Sequence, residues 1–77
     1  MIYIDVRTKK EFDTGHKEGA FHHDIMDMMD GIFPDIDKNT PITLYCESGN
    51  RSMMAKTLMK NIGFVNISDG GGISNVQ

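Results

Sequence analysis

Ile42-Thr-Leu-Tyr-Cys46-Glu-Ser-Gly-Asn-Arg51-Ser52 is the stretch on which the reading of this chain turns. Its first four residues are β-branched, aliphatic and aromatic, the composition of a buried strand. Cys46 to Arg51 is polar and contains a glycine, so it reads as a loop. Ser52 opens a run of good helix formers in which Met54, Leu58 and Ile62 share a face, and Gly63 is placed to end the helix. The unit is therefore strand, short loop, helix.

Upstream, Pro34 to Pro41 is a turn-rich connection carrying Asp35, Asp37, Lys38, Asn39 and Thr40. Before it, Asp24 is an N-cap for a helix over Ile25 to Met29 that sets Ile25, Met28 and Met29 on one face. Thr8-Lys-Lys-Glu11 has capping-box spacing and predicts a helix of one to two turns that cannot pass Gly15. A loop through His16 and Gly19 leads to a short strand around Ala20 to His22, and Met1 to Ile4 is a strand running into Asp5, Val6 and Arg7. Downstream, Phe64 to Ile67 reads as a last strand, broken by Gly70 to Gly72 before a tail long enough for one helical turn.

Strands alternating with short helices predict an α/β fold: a mostly parallel four-stranded sheet in a three-layer α/β/α arrangement with right-handed crossovers. The 77 residues, 39% of them hydrophobic, suffice for one core, so residues 1–77 are expected to form a single domain with modest stability. Net charge of −3 offers no electrostatic footprint for nucleic acid. Apolar runs of only a few residues exclude a transmembrane helix, and no basic and apolar signal region follows Met1, so a cytoplasmic monomer is expected.

The single cysteine excludes an internal disulfide and a Cys-x-x-Cys metal or redox motif. Cys46 is then either packed as a small hydrophobe or used as a nucleophile. It stands at the carboxyl end of a central strand, where open parallel sheets bind ligands. The helix that follows turns unpaired N–H groups and a positive dipole end toward it, which favours a thiolate. Gly49 lets the backbone curl close to the sulfur, Ser48 and Asn50 can hydrogen-bond the loop, and Arg51 is a nearby cation. A buried strand-end thiol followed by an ordinary turn is the plainer alternative, and the combination of strand, cysteine, glycine loop, arginine and helix favours a site.

Three separate stretches then bear on the family. Ile4-Asp5-Val6-Arg7, Glu11-Phe12 and Gly15-His16-x-x-Gly19-Ala20 form the first, Cys46-Glu-Ser-Gly-Asn-Arg51-Ser52 the second, and Gly63-Phe64 with Gly71-Gly72-Ile73 the third. In order and spacing the chain resembles the rhodanese family of sulfurtransferases, in particular its small single-domain members. The resemblance implies that Cys46 is the catalytic nucleophile and carries a persulfide. It also implies that Glu47, Ser48, Gly49, Asn50 and Arg51 bind the substrate, with Asp5, Arg7 and Ser52 in support. A small anionic sulfur donor such as thiosulfate and an external acceptor, cyanide or a cellular thiol, are the implied partners, with no cofactor and no metal.

Related phosphatases carry one more residue between Cys and Arg than the four found here, so the shorter loop suits a sulfur atom better than a tetrahedral phosphate. A phosphatase or arsenate reductase, and a binding module without activity, remain as alternatives. Family members normally carry a segment with a short strand ahead of the stretch that here begins at Ile2, which implies an exposed sheet edge. Val76 stands where a Trp is often found.

Other residues read more simply. Arg51 is expected to draw in an anionic donor or to pair with Glu47 or Asp5. Asp5 is expected to accept hydrogen bonds from loop amides or Arg7. His16 reads as structural, and the adjacent His22 and His23 point to opposite faces of a strand and cannot share a metal. Met28, Met29, Met54 and Met59 are expected to fill the core.

Overall fold

Four short segments, two of them rich in β-branched and aromatic residues, pair into one sheet in the computed structural model, which describes residues 1–77. Strands β1 (Ile2–Asp5), β2 (Phe21–His22), β3 (Ile42–Cys46) and β4 (Ile67–Gly72) lie in the order β2-β1-β3-β4. Every neighbouring pair is parallel. Helices α1 (Lys9–Thr14), α2 (Ile25–Met29), α3 (Asn50–Asn61) and α4 (Ile73–Val76) alternate with the strands. Both N-terminal caps form as the sequence predicts. Thr8 and Glu11 close a reciprocal capping box on α1, and the Asp24 carboxylate accepts the Met26 amide at 2.9 Å on α2.

Register assigns the two faces of the sheet. Ile2 pairs with Ile42 and Ile4 with Leu44, so these side chains share one face and form a core with Ile25 and Met28 of α2 and Ala55 and Met59 of α3. The other face carries Tyr3, Asp5, Thr43 and Tyr45. There the Tyr45 hydroxyl accepts the Lys17 amide at 3.0 Å from the loop after α1, and Val76 of α4 lies over Gly70 and Thr43. All five residues of β3 are buried because both faces are covered. No helix is long and apolar enough to cross a membrane.

Three expectations are corrected. Helix α3 turns Ser52, Ala55 and Met59 inward, whereas Met54 and Ile62 are 46% and 40% exposed. The Met54, Leu58, Ile62 stripe is a genuine helical spacing, but the rotation of α3 is fixed by the need to bring Ser52 against Cys46, as described below. Of the methionines assigned to the core, Met28 and Met59 are there, while Met29 and Met54 are exposed. The last strand begins only at Ile67 and runs through the glycines. Phe64 is buried in the connection before it. Glycine is needed in β4 because a Cβ on Gly72 would come within 2.7 Å of the Glu47 carbonyl oxygen, and one on Gly70 within 2.9 Å of Thr43 Cγ2.

The inward face of α3 can be checked by paired truncations followed by urea denaturation. Met59→Ala is expected to cost about 2–5 kcal/mol, a large part of the stability of so small a domain, whereas Met54→Ala should change it by less than about 0.5 kcal/mol. Equal losses would mean that the helix is rotated otherwise.

Candidate active site

The site grows out of the junction between β3 and α3. Strand β3 ends at Cys46, and Gly49, the cap residue of α3, has φ of 100° in the left-handed region that favours glycine. This curl folds the start of α3 back over the sulfur. The Gly49 amide donates to Cys46 Sγ at 3.0 Å and the Ser52 amide at 3.3 Å, so two N–H groups that a helix start leaves without backbone partners end on one atom. The Ser52 hydroxyl oxygen is 3.6 Å from the same sulfur.

These contacts decide the acidity of the thiol. Cys46 is fully buried, and burial, the largest single influence, pushes its pKa up. The Ser52 hydroxyl and the amides of Ser52, Gly49 and Ser48 act together in the other direction and hold it below the ordinary cysteine value.

Charged side chains brace the loop from two sides. Arg7 is buried at the end of β1, where its amide, Nε and Nη2 donate to the Asp5 carboxylate at 2.9, 3.0 and 2.7 Å. Its Nη1 reaches Glu47 Oε1 at 3.1 Å and its Nη2 also reaches the Gly15 carbonyl at 2.7 Å. Arg7 thus ties β1, the end of α1 and the Cys46 loop together. The Asp5 contacts raise its pKa further above the usual range, and every buried side-chain polar atom in the chain has a partner.

Arg51 does not pair with Glu47 or Asp5. It makes a two-pronged contact with Glu11 of α1, Nη1 to Oε1 at 2.6 Å and Nη2 to Oε2 at 2.9 Å. Both expected partners are already held by Arg7, and Glu11 is pinned in place by its capping role, its Oε1 also accepting the Thr8 amide at 3.1 Å. The sequence displayed Glu11 as a cap but gave no sign of its second partner.

Of the residues singled out from sequence, Cys46, Gly49 and Ser52 meet at the sulfur, and Ser48 turns its amide toward it. Asp5, Arg7 and Glu47 form the brace, Arg51 of α3 reaches across to Glu11 of α1, and Asn50 is an exposed first residue of α3. One residue was missed: Asp69 of β4 accepts the Ser52 hydroxyl at 2.7 Å. The available signal was period-2 alternation from Ile67, which sets Asp69 on the same face as that core residue. His16 stacks on Phe12 with ring centroids 3.6 Å apart, and its Nδ1 lies 2.8 Å from the Phe12 carbonyl. His22 and His23 each contact a backbone carbonyl, of Arg7 and Ile32 respectively. A recess of about 260 Å³ lined by Ile2, Ile4, Phe21 and Pro34 lies at the β2 edge and includes no residue of the Cys46 loop.

The Arg51 contact holds the Glu11 carboxyl down at about 2, far below the usual carboxylate range. A carboxyl depressed by folding stabilises above its unfolded pKa of about 4.3 and loses that contribution as pH falls toward the folded value. The pair is about a third exposed, so screening reduces its worth to about 1 kcal/mol. Thermal unfolding of Glu11→Gln should show a deficit of that size at pH 7 that shrinks toward zero as pH falls from 4 to 2. A deficit that does not change with pH would exclude the ion pair as its source.

Comparison with known proteins agrees with this architecture. The family model described as Rhodanese-like domain matches residues 1–76. The thiosulfate sulfurtransferase PspE of Escherichia coli (strain K12) is 27% identical over 75 residues, covering 96% of this chain and 72% of that protein. Thiosulfate sulfurtransferase 16, chloroplastic, of Arabidopsis thaliana is 31% identical over 78 residues, covering 87% of this chain and 65% of that one. Among solved structures, a rhodanese with anions from E. coli superposes with a TM-score of 0.85 at 27% identity, covering 96% of this chain and 88% of its own. With a match that runs from one end of the sheet to the other, the chain belongs to the rhodanese-like domain family.

Proposed function

We propose that this chain is a sulfurtransferase that moves a sulfane sulfur from an anionic donor such as thiosulfate to an external thiophilic acceptor through a persulfide on Cys46. The observation that carries the reading is the convergence of the Gly49 and Ser52 amides on Sγ. Donors fixed around a sulfur favour its anionic form and need no reorganisation during reaction. The sulfurtransferase names of the relatives support the same direction.

The chemistry is a double displacement. The Cys46 thiolate attacks the outer sulfur of thiosulfate; a new S–S bond forms, the S–S bond of the donor breaks, and sulfite leaves with the electron pair. The outer sulfur of the persulfide would then hold the negative charge, and the loop amides of Glu47 to Arg51 would hold it there. Cyanide or a thiolate then attacks that sulfur, giving thiocyanate or an acceptor persulfide and restoring the Cys46 thiolate. The chain has no second cysteine to resolve the persulfide, so the acceptor is a separate molecule. Cys46 is fully buried while Glu47 and Ser48 of its loop and Asn50 beside it are exposed, so the donor would approach from the loop side. The groups on the sulfur belong to Cys46's own loop and the start of α3, and we read the functional unit as a monomeric single domain. A lone thiol that must stay reduced suits the cytoplasm, where we place the activity.

Intact mass after incubation with thiosulfate tests the reading. Wild type should gain the mass of one sulfur atom and lose it on adding cyanide, and Cys46→Ala should gain nothing. Unchanged mass for wild type would contradict the sulfurtransferase reading, and Cys46-dependent hydrolysis of an aryl phosphate would move the activity to the phosphatase class.

A further inference from the structure

The Ser52 hydroxyl is fully buried and has one proton to give, but four groups stand around its oxygen. Asp69 Oδ1 lies at 2.7 Å, the Gly49 carbonyl at 3.1 Å, the Gly71 carbonyl at 3.5 Å and Cys46 Sγ at 3.6 Å. A carboxylate at the shortest distance outcompetes neutral carbonyls for a hydroxyl proton. While Cys46 is a thiol the contacts are compatible: the S–H donates to Ser52 Oγ and the Ser52 O–H donates to Asp69. Once Cys46 ionises they compete, because thiolate and carboxylate both require the same proton.

Asp69 also stands apart from the other charges around the sulfur. Glu47 in the loop is paired with Arg7 of β1, which also holds Asp5, and Glu11 of α1 is paired with Arg51 of α3. Asp69, on β4, has no cationic partner; its Oδ1 accepts from Ser52 and from the Gly71 amide at 2.9 Å. It lies in register with Leu44 on the edge strand, and although the residue is exposed, its contact with the Ser52 hydroxyl is partly buried.

We propose that Asp69 is a positioning residue that controls, through the Ser52 hydroxyl, how readily Cys46 gives up its proton. It competes with the thiolate for the Ser52 proton, weakening but not abolishing the support that hydroxyl gives the sulfur, and so makes the thiolate less stable and more nucleophilic than it would be without the carboxylate. In the persulfide the charge has moved to the outer sulfur, Sγ no longer needs the hydroxyl, and Ser52 and Asp69 keep their contact. Asp69 therefore disfavours the unloaded thiolate relative to the loaded persulfide. This last consequence rests on the sulfurtransferase reading; the effect on the thiol does not.

Thiolate ultraviolet absorbance, titrated against pH in the intact protein, tests the proposal. Asp69→Ala should lower the Cys46 midpoint by about one unit, the worth of a hydrogen bond to a charged group. In a Ser52→Ala background the same substitution should shift it by less than half as much, because only through-space charge remains. Asp69→Asn keeps an acceptor toward Ser52 and the Gly71 amide and should shift the midpoint downward by a smaller amount, which provides a reading should the alanine variant fail to fold. A midpoint that stays or rises, or a shift of equal size with and without the Ser52 hydroxyl, would overturn the proposal. At a pH where both proteins are fully ionised, persulfide formation from thiosulfate should be roughly threefold slower in Asp69→Ala, as a less basic thiolate attacks more slowly. Absence of sulfur uptake by wild type would remove the sulfurtransferase reading and leave the proposal to be decided by the titration.

Discussion

Two backbone N–H groups pointing at one sulfur atom constrain most of the structure. For the Gly49 and Ser52 amides to meet at Cys46, the strand must stop at the cysteine, Gly49 must take a left-handed conformation, and α3 must rotate until Ser52 faces the sheet. That rotation leaves Ala55 and Met59, one and two turns further along, to pack on Ile42 and Leu44, and leaves Met54 at the surface. On the other side β4 must approach the same loop closely enough that its residue beside Glu47 can carry no Cβ, and β3 accommodates it with an irregular register between Leu44 and Cys46. Geometry that serves a single atom thus determines the packing of the largest helix and the composition of an edge strand.

Charge pairing keeps this loop in place. Arg7 and Asp5 are nearly inaccessible, and a buried pair of this kind is not in itself strong support for stability, since desolvation offsets most of the attraction. Its value here is positional: one guanidinium fixes the end of β1, the carbonyl of Gly15 and Glu47 relative to one another. The partly exposed Arg51 and Glu11 pair does the same for α1 and α3. With Arg7 and Arg51 both committed to carboxylates, the sulfur is surrounded by neutral dipoles and by the unpaired Asp69. Backbone dipoles therefore do more for the thiolate than free cations do.

What could be read from sequence alone was whatever local residues decide. The capping box at Thr8 and Glu11, the Asp24 cap and the strand before Cys46 depend on neighbours within a few positions, and each is found where expected. The position of Cys46 at the sheet's carboxyl end follows from the strand, loop, helix order. Features set by distant partners were not legible. Helix α3 has an apolar stripe at Met54, Leu58 and Ile62 that periodicity alone prefers, but the requirement of a sulfur six residues before Ser52 overrides it. Gly70 to Gly72 read as a strand breaker because glycine lacks strand propensity, whereas close backbone approach is what these positions require. Arg51 could not be matched to Glu11, 40 positions away, when Glu47 in its own loop and Asp5 at the end of β1 were equally open as partners.

Folding lowers the basicity of a buried cysteine by means of the Ser52 hydroxyl and the amides of its own loop. The most direct measurement is the ultraviolet absorbance titration of the thiolate in the folded wild-type protein, compared with the same chain unfolded in urea. The folded midpoint is expected to lie below the unfolded one, which for an unstructured cysteine is about 8.5. A folded midpoint at or above the unfolded value would mean that burial prevails over the loop amides, and Cys46 would then be a packed thiol at the end of a strand.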